Sequence, residues 1–178
     1  TIRINTPPTA TQISFAPDPL YSDQDLQAIP YGATDVDGDT IQYTYEWFKN
    51  GVLQPYNTDT IPASQLSVDD EWSVNITTDD GYDVGSSSTN SIVVSNTAPT
   101  FSAPISLSVT EVEVGGSVIC SASAEDLDDG PLTTTVEWLY NGSVVGSTGL
   151  FTIPMTAIVG DVYQCTVTSA DANGASIS

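Results

Sequence analysis

Polar and apolar residues alternate with a period of two through Ile41-Gln42-Tyr43-Thr44-Tyr45-Glu46-Trp47, and Asn50-Gly51 follows closely. That period places successive side chains on opposite faces of a β-strand, and Asn-Gly accepts the left-handed backbone of a tight hairpin turn. Shorter runs bounded by Gly, Pro, Asn and Asp predict strands near residues 10–15, 26–34, 40–49, 58–62, 71–78 and 90–95. A second series is predicted near 105–110, 117–124, 132–140, 150–154 and 161–169. No segment carries a convincing helical period.

The two series are copies of one pattern. Asn5-Thr6-Pro7-Pro8-Thr9 returns as Asn96-Thr97-Ala98-Pro99-Thr100, and Glu46-Trp47 with Asn50-Gly51 returns as Glu137-Trp138 with Asn141-Gly142. Trp72-Ser73-Val74 aligns with Tyr163-Gln164-Cys165, and Asp80 with Asp171, all at an offset of 91. A constant offset marks a duplication, because chance matches scatter. Short strands between turns in each copy predict an all-β chain of two antiparallel β-sandwiches, set end to end. The boundaries fall at 6–96 and 97–178, with residues 1–5 left as an N-terminal strand.

Composition narrows the function. The net charge is −21, with two Lys/Arg residues (Arg3 and Lys49) and no His. Too few cations are present to neutralise nucleic-acid phosphates or to hold an anionic membrane, so neither is an expected partner. No run approaches the roughly 20 apolar residues of a membrane-spanning helix. The start at Thr1, without a signal peptide, reads as a mature or excised segment. Cys120 and Cys165 have no His or Cys-x-x-Cys neighbour, which favours a structural disulfide over zinc or redox chemistry and implies an oxidising compartment. With no His and the thiols paired, no nucleophile–base set is visible, and no enzymatic role is expected.

The order Cys120, Trp138, Cys165, together with Asp161-Val162-Tyr163-Gln164-Cys165, resembles an immunoglobulin domain. That resemblance implies a cysteine on the second strand bonded to one on the sixth beside the core tryptophan. In the first copy Ile29 and Val74 stand at the expected cysteine positions and Trp72 replaces the tyrosine, so its core is expected to hold by packing. Taken whole, the chain resembles the tandem immunoglobulin-like or cadherin-like repeats of prokaryotic cell-surface and extracellular fibre proteins. This implies a place in a stalk, adhesin or filament at the cell surface.

Carboxylates gather in the turns. Asp35-Val36-Asp37-Gly38-Asp39 sets alternate acids around a glycine, the kind of oxygen donor set that a hard cation such as calcium takes. No glutamate follows at the twelfth position, so this is not an EF-hand. In a sandwich of this topology, one end of the first unit collects Asn5, Asp35, Asp37, Asp39 and Asp80. The second collects Asn96, Asp126, Asp128, Asp129 and Asp171, with Asp69 and Asp70 as possible additions from a preceding unit. Calcium at the joints is the expected cofactor, as between cadherin repeats; the alternative is that these acids simply cap their own turn amides.

The second copy runs out after Asp171, short of a last strand, while Thr1-Ile2-Arg3-Ile4 matches the last strand of the first copy, Ser91-Ile92-Val93-Val94-Ser95. Two expectations follow: copies assemble head to tail by donating residues 1–4 to the preceding copy's open sheet edge, or the chain is one period of a longer covalent array. A carbohydrate or surface receptor is conceivable but has no signature, and a carbohydrate-binding accessory module would need exposed aromatics that are not evident. Asn75 and Asn141 head weak N-glycosylation sequons.

Overall fold

The computed structural model describes residues 2–178; Thr1, the first residue of the predicted donor strand, lies outside the described residues. The chain divides into two units, Thr1–Asn96 and Thr97–Ser178.

The first unit is built from β1 (Gln12–Ala16), β2 (Leu26–Tyr31), β3 (Gln42–Lys49), β4 (Val52–Gln54), β5 (Thr60–Ile61), β6 (Glu71–Asp79) and β7 (Val84–Val93). One sheet has the order β1-β2-β5 and the other β4-β3-β6-β7, with the pairings within each sheet antiparallel. The alternation read in β3 sends Trp47 inward and Glu46 outward, and the hairpin after it turns on Asn50 and Gly51, at φ of 51° and 78°. β7 begins earlier than its sequence predicts. Val84–Ser88 carries no alternating pattern, but it lies along β6, with Thr77 opposite Ser87 and Ser73 opposite Ser91. The core sits between the sheets around Trp47, Trp72, Leu26, Ile61, Val74 and Ile76, all essentially without solvent contact. Trp47 donates its indole N–H to the Thr58 carbonyl (2.8 Å) and meets the edge of Trp72, ring centres 6.3 Å apart.

The second unit comprises β8 (Thr100–Leu107), β9 (Ser117–Asp126), β10 (Gly130–Leu132), β11 (Thr134–Tyr140), β12 (Ser143–Gly146), β13 (Leu150–Thr152), β14 (Tyr163–Ala170) and β15 (Ser176–Ile177). One sheet runs β10-β9-β13 with β8 paired to β9, and the other β12-β11-β14-β15. Cys120 and Cys165 form a disulfide across the sandwich, beside Trp138. Trp138 repeats the tie of Trp47 by donating to the Thr148 carbonyl at 3.0 Å.

Register corrects one sequence expectation. Cys120 lies opposite Leu107, and its N–H donates to the Gly149 carbonyl. The residue with the same environment in the first unit is Ala28, opposite Phe15 and donating to the Asp59 carbonyl, not Ile29. The offset is 91 at the tryptophans but 92 on this strand, because the second unit carries one extra residue before the strand and one fewer between it and the tryptophan. Ala28 is 1% exposed, whereas Ile29 is 39% exposed and faces outward. Val74 pairs with Trp47 as Cys165 pairs with Trp138, so the second half of that expectation stands.

Candidate functional site: an acidic loop cradle

The loop between β2 and β3 is tied down on both sides. The Thr9 N–H donates to the Thr34 carbonyl and the Thr34 N–H to the Thr9 hydroxyl, which holds the N-terminal segment beside the loop. Asp35 Oδ1 then accepts from the amides of Asp37 (2.8 Å) and Asp39 (3.0 Å), closing a tight turn around Gly38 at φ 79°. That is the capping use of aspartate. It consumes only one of the two oxygens.

The other oxygen, Asp35 Oδ2, is buried and has no hydrogen-bond partner. Carboxylate oxygens of Asp35, Asp37 and Asp39 converge to within 4.8 Å of one another. Asn5 sits close by with its Nδ2 donating to Asp80 Oδ2 (2.9 Å) and Asp83 Oδ2 (3.0 Å), while its Oδ1 is also buried without a partner. Asp80 Oδ1 caps its own loop through the amides of Tyr82 and Asp83. The Asp83 amide first, and then the Asn5 side chain, hold the Asp80 carboxyl below its ordinary value despite an opposing desolvation effect. Thr6 donates its N–H to Asp37 Oδ2 at 2.7 Å. All five acids and amides predicted for this end, Asn5, Asp35, Asp37, Asp39 and Asp80, therefore lie on the N-terminal segment and two adjacent loops that hydrogen bonds tie together. Asp83 joins them unforeseen; its only signal was its place in the Asp80-Gly81-Tyr82-Asp83 turn.

Burying an unpaired carboxylate oxygen among other carboxylates is costly, and a cation is the species that relieves it. The Arg3 guanidinium lies at the edge of the cluster, donating to Asp39 Oδ2 (2.7 Å) and to the Asp37 carbonyl (3.2 Å), and leaves Asp35 Oδ2 without a partner. The donor set is all oxygen, which suits calcium, a hard ion that takes about six to eight such ligands. The residues present fit that ion, with Asp35, Asp37, Asp39, Asn5 and Asp80 as those that would hold it.

The second unit repeats the scaffold. Asp126 is 5% exposed; its Oδ1 accepts from the amides of Asp128 and Asp129, and its Oδ2 is buried without a partner. Asp128 Oδ2 takes the Thr97 amide and hydroxyl, as Asp37 takes Thr6. Asp171 Oδ1 accepts from Asn173 and Ala175. The convergence is looser, because Gly130 stands where the first unit has Asp39, and the neighbouring Asp129 turns instead to the Ala172 amide. Asn96, the sequence counterpart of Asn5, is the last residue of the first unit.

Asp70 is committed elsewhere. Its carboxylate holds Lys49 Nζ (2.6 Å), the Asn50 side chain and the Ser67 amide. Asp69 lies beside it at φ 67°, with its N–H on the Val94 carbonyl. Partial burial works to raise the Asp70 pKa, but Lys49, then Asn50 and Ser67, outweigh it and hold the carboxyl below its ordinary value. A group depressed on folding contributes stability that is present above its unfolded pKa of about 3.9 and lost as pH falls through the folded value. The melting temperature of the first unit should accordingly drop as the pH is taken from about 5 towards 2. Lys49→Met, followed by calorimetry across that range, should flatten the slope.

The weak sequons differ in setting. Asn75 lies within β6 and donates to Glu46 Oε2 at 3.1 Å, while Asn141 occupies an exposed turn at φ 50°. All three tryptophans are buried in the cores.

Paired antiparallel sheets in this strand order, a disulfide across the second unit and a core tryptophan in both define a tandem of immunoglobulin-like sandwich modules. No family model matches the chain, and no curated protein matches it. Among solved structures, it is similar to the three N-terminal domains of the bacteriophage RB49 highly immunogenic outer capsid protein Hoc, at 16% identity and a TM-score of 0.36, over 94% of this chain and 57% of that one. It is also similar to the FN1–FN3 domains of chicken CNTN1, at 11% identity and a TM-score of 0.41, over 96% of this chain and 65% of that one. The chain thus spans somewhat less than two thirds of either structure.

Proposed function

We propose that the chain is a structural module of an extracellular filament at the cell surface, in which calcium occupies the acidic loop end of each unit and copies join head to tail by addition of a β-strand. The observation that carries the calcium reading is the buried, unpartnered Asp35 Oδ2, with its repeat at Asp126 Oδ2 and with Asn5 Oδ1 beside the first. Calcium would tie the N-terminal segment to two loops of the same unit, converting a hydrogen-bonded linker into a clamped one. It would also take over Asp39 from Arg3. The disulfide supports an oxidising, extracellular setting. The match of Thr1-Ile2-Arg3-Ile4 to Ser91-Ile92-Val93-Val94-Ser95 supports strand addition.

Negative-stain microscopy of the 178-residue protein, with millimolar calcium and with a chelator, tests the reading. Filaments in calcium that shorten or vanish on chelation are expected. Dispersed monomers under both conditions would overturn assembly by self-association and leave a segment of a covalent stalk.

A further inference from the structure

A notch in β7 receives the segment that leads into β1. β7 pairs with β6 in step until Thr77 opposite Ser87, and the ladder resumes at Asp79 opposite Val84. Two residues, Gly85 and Ser86, therefore face the single Thr78, the count of a β-bulge, which bends its strand locally. The buried Pro8 lies against this bend. A Cβ on Gly85 would fall far inside contact distance of both the Pro8 carbonyl oxygen and Thr78 Oγ1. Thr78 has no solvent contact, and its hydroxyl reaches the Thr9 carbonyl (3.1 Å) and the Ser86 carbonyl (3.3 Å). Glycine weakens a strand interior, and the close approach of another backbone is a physical reason for one to stand there.

We infer that Gly85 and Thr78 are positioning residues for the acidic cradle, seating Pro8 and Thr9 so that Asn5 is presented to its two loops. The inference rests on the calcium reading above and adds the residues that orient its ligands. From the seated stretch, Thr9 pairs with Thr34 at the foot of the Asp35 loop, and Thr6 donates to Asp37 Oδ2. Asn5, three residues before Pro8, then holds Asp80 and Asp83 through Nδ2 and keeps Oδ1 buried without a partner. A ligand on a loose segment must be ordered at each binding event, and a segment already seated carries that cost in advance. The second unit holds the same stretch differently. There β8 begins at Thr100, opposite Glu125, so the segment is itself strand, and Ser169, at the place of Thr78, donates to the Thr133 carbonyl (2.9 Å). The notch is thus a device of the first unit, where the carboxylates converge most closely.

The test is calcium calorimetry on the full chain, with Asp126→Asn present throughout to silence the second unit. Gly85→Ala and, separately, Thr78→Val should weaken binding about 10–100-fold, the usual cost of losing a partner that orients a ligand. Thr78→Ser keeps the hydroxyl and should bind as tightly as Thr78. Adding Gly85→Ala to Asn5→Ala should cost no further affinity, because the notch acts through Asn5; a further loss would overturn the positioning role. A second readout needs no metal. Exchange of the Thr9 amide, bonded to the Thr34 carbonyl, should quicken in Gly85→Ala and in Thr78→Val, while the near-ultraviolet signal of the buried tryptophans confirms a folded unit. Unchanged exchange, or equal calcium affinity in the parent chain and both variants, would overturn the notch and leave the calcium reading standing. No saturable binding in any chain would overturn the calcium reading and with it the notch as a metal-positioning device.

Discussion

Trp47→Ala should unfold the first unit at or near room temperature while the second keeps its own thermal transition. Trp47 is fully buried and packs against both Phe15 and Trp72, at ring-centre distances of 6.3 Å each. Truncating a buried tryptophan costs about 3–5 kcal/mol through lost burial and the cavity left behind. The Thr58 carbonyl loses its indole donor as well, a further cost of about 1–3 kcal/mol where water cannot replace it. Against a typical domain stability of about 5–15 kcal/mol, little remains, and this unit has no cross-link to limit its unfolded chain. Trp138→Ala removes the matching tie to Thr148 from a unit whose disulfide persists, so its transition should fall without disappearing. Differential scanning calorimetry of both variants checks the contrast. Equal losses in the two units would contradict it.

The second large effect is a gain. Ala28→Cys with Val74→Cys should form a disulfide in the first unit and raise its stability by about 2–4 kcal/mol, the usual return of closing a loop of this size. Ala28 and Val74 occupy the positions of Cys120 and Cys165: Ala28 donates to the Asp59 carbonyl as Cys120 does to that of Gly149, and Val74 lies opposite Trp47 as Cys165 lies opposite Trp138. Ile29→Cys with Val74→Cys should not form the bond, because Ile29 points away from the core. Thiol titration and melting temperatures under oxidising and reducing conditions read both outcomes. Breaking Cys120–Cys165 by double alanine substitution is the reciprocal experiment, with a loss of similar size expected in the second unit.

That one-residue distinction shows where sequence reading stops. The alternation through Trp47, the Asn50-Gly51 turn and the Cys–Trp–Cys order are local signals, and each states its own geometry. The match of Ile29 to Cys120 came from carrying the offset of the tryptophans onto a neighbouring strand, and an inserted residue between them is invisible without strand pairing. β7 was half legible for a related reason: Val84–Ser88 is polar on both faces, and only β6 beside it makes it a strand. Edge strand β4 is too short to carry a pattern. At the acidic end, alternate aspartates around Gly38 announced a cation-like loop, and topology brought Asn5 and Asp80 to it. Asp83 gave no such sign, since its role arises from the Asn5 amide reaching across. The division of labour within Asp35, one oxygen for the turn and one left over, could be seen only with side chains in place. The same is true of Asp70, whose sequence context reads as an acidic turn and whose carboxylate is held by Lys49, Asn50 and Ser67.

The most direct measurement is a calorimetric titration of calcium into the chelator-treated protein, repeated on Asp35→Asn and on Asp126→Asn. Saturable binding is predicted, strongest at the first unit, where three carboxylates converge, and abolished there by Asp35→Asn. Bound calcium at about 100 times its dissociation constant should also stabilise that unit by about 2.7 kcal/mol, read as a raised melting temperature that magnesium reproduces poorly. The absence of saturable binding, with melting temperatures unmoved by calcium and by either substitution, would contradict the account and reduce the cradle to a set of aspartate-capped turns.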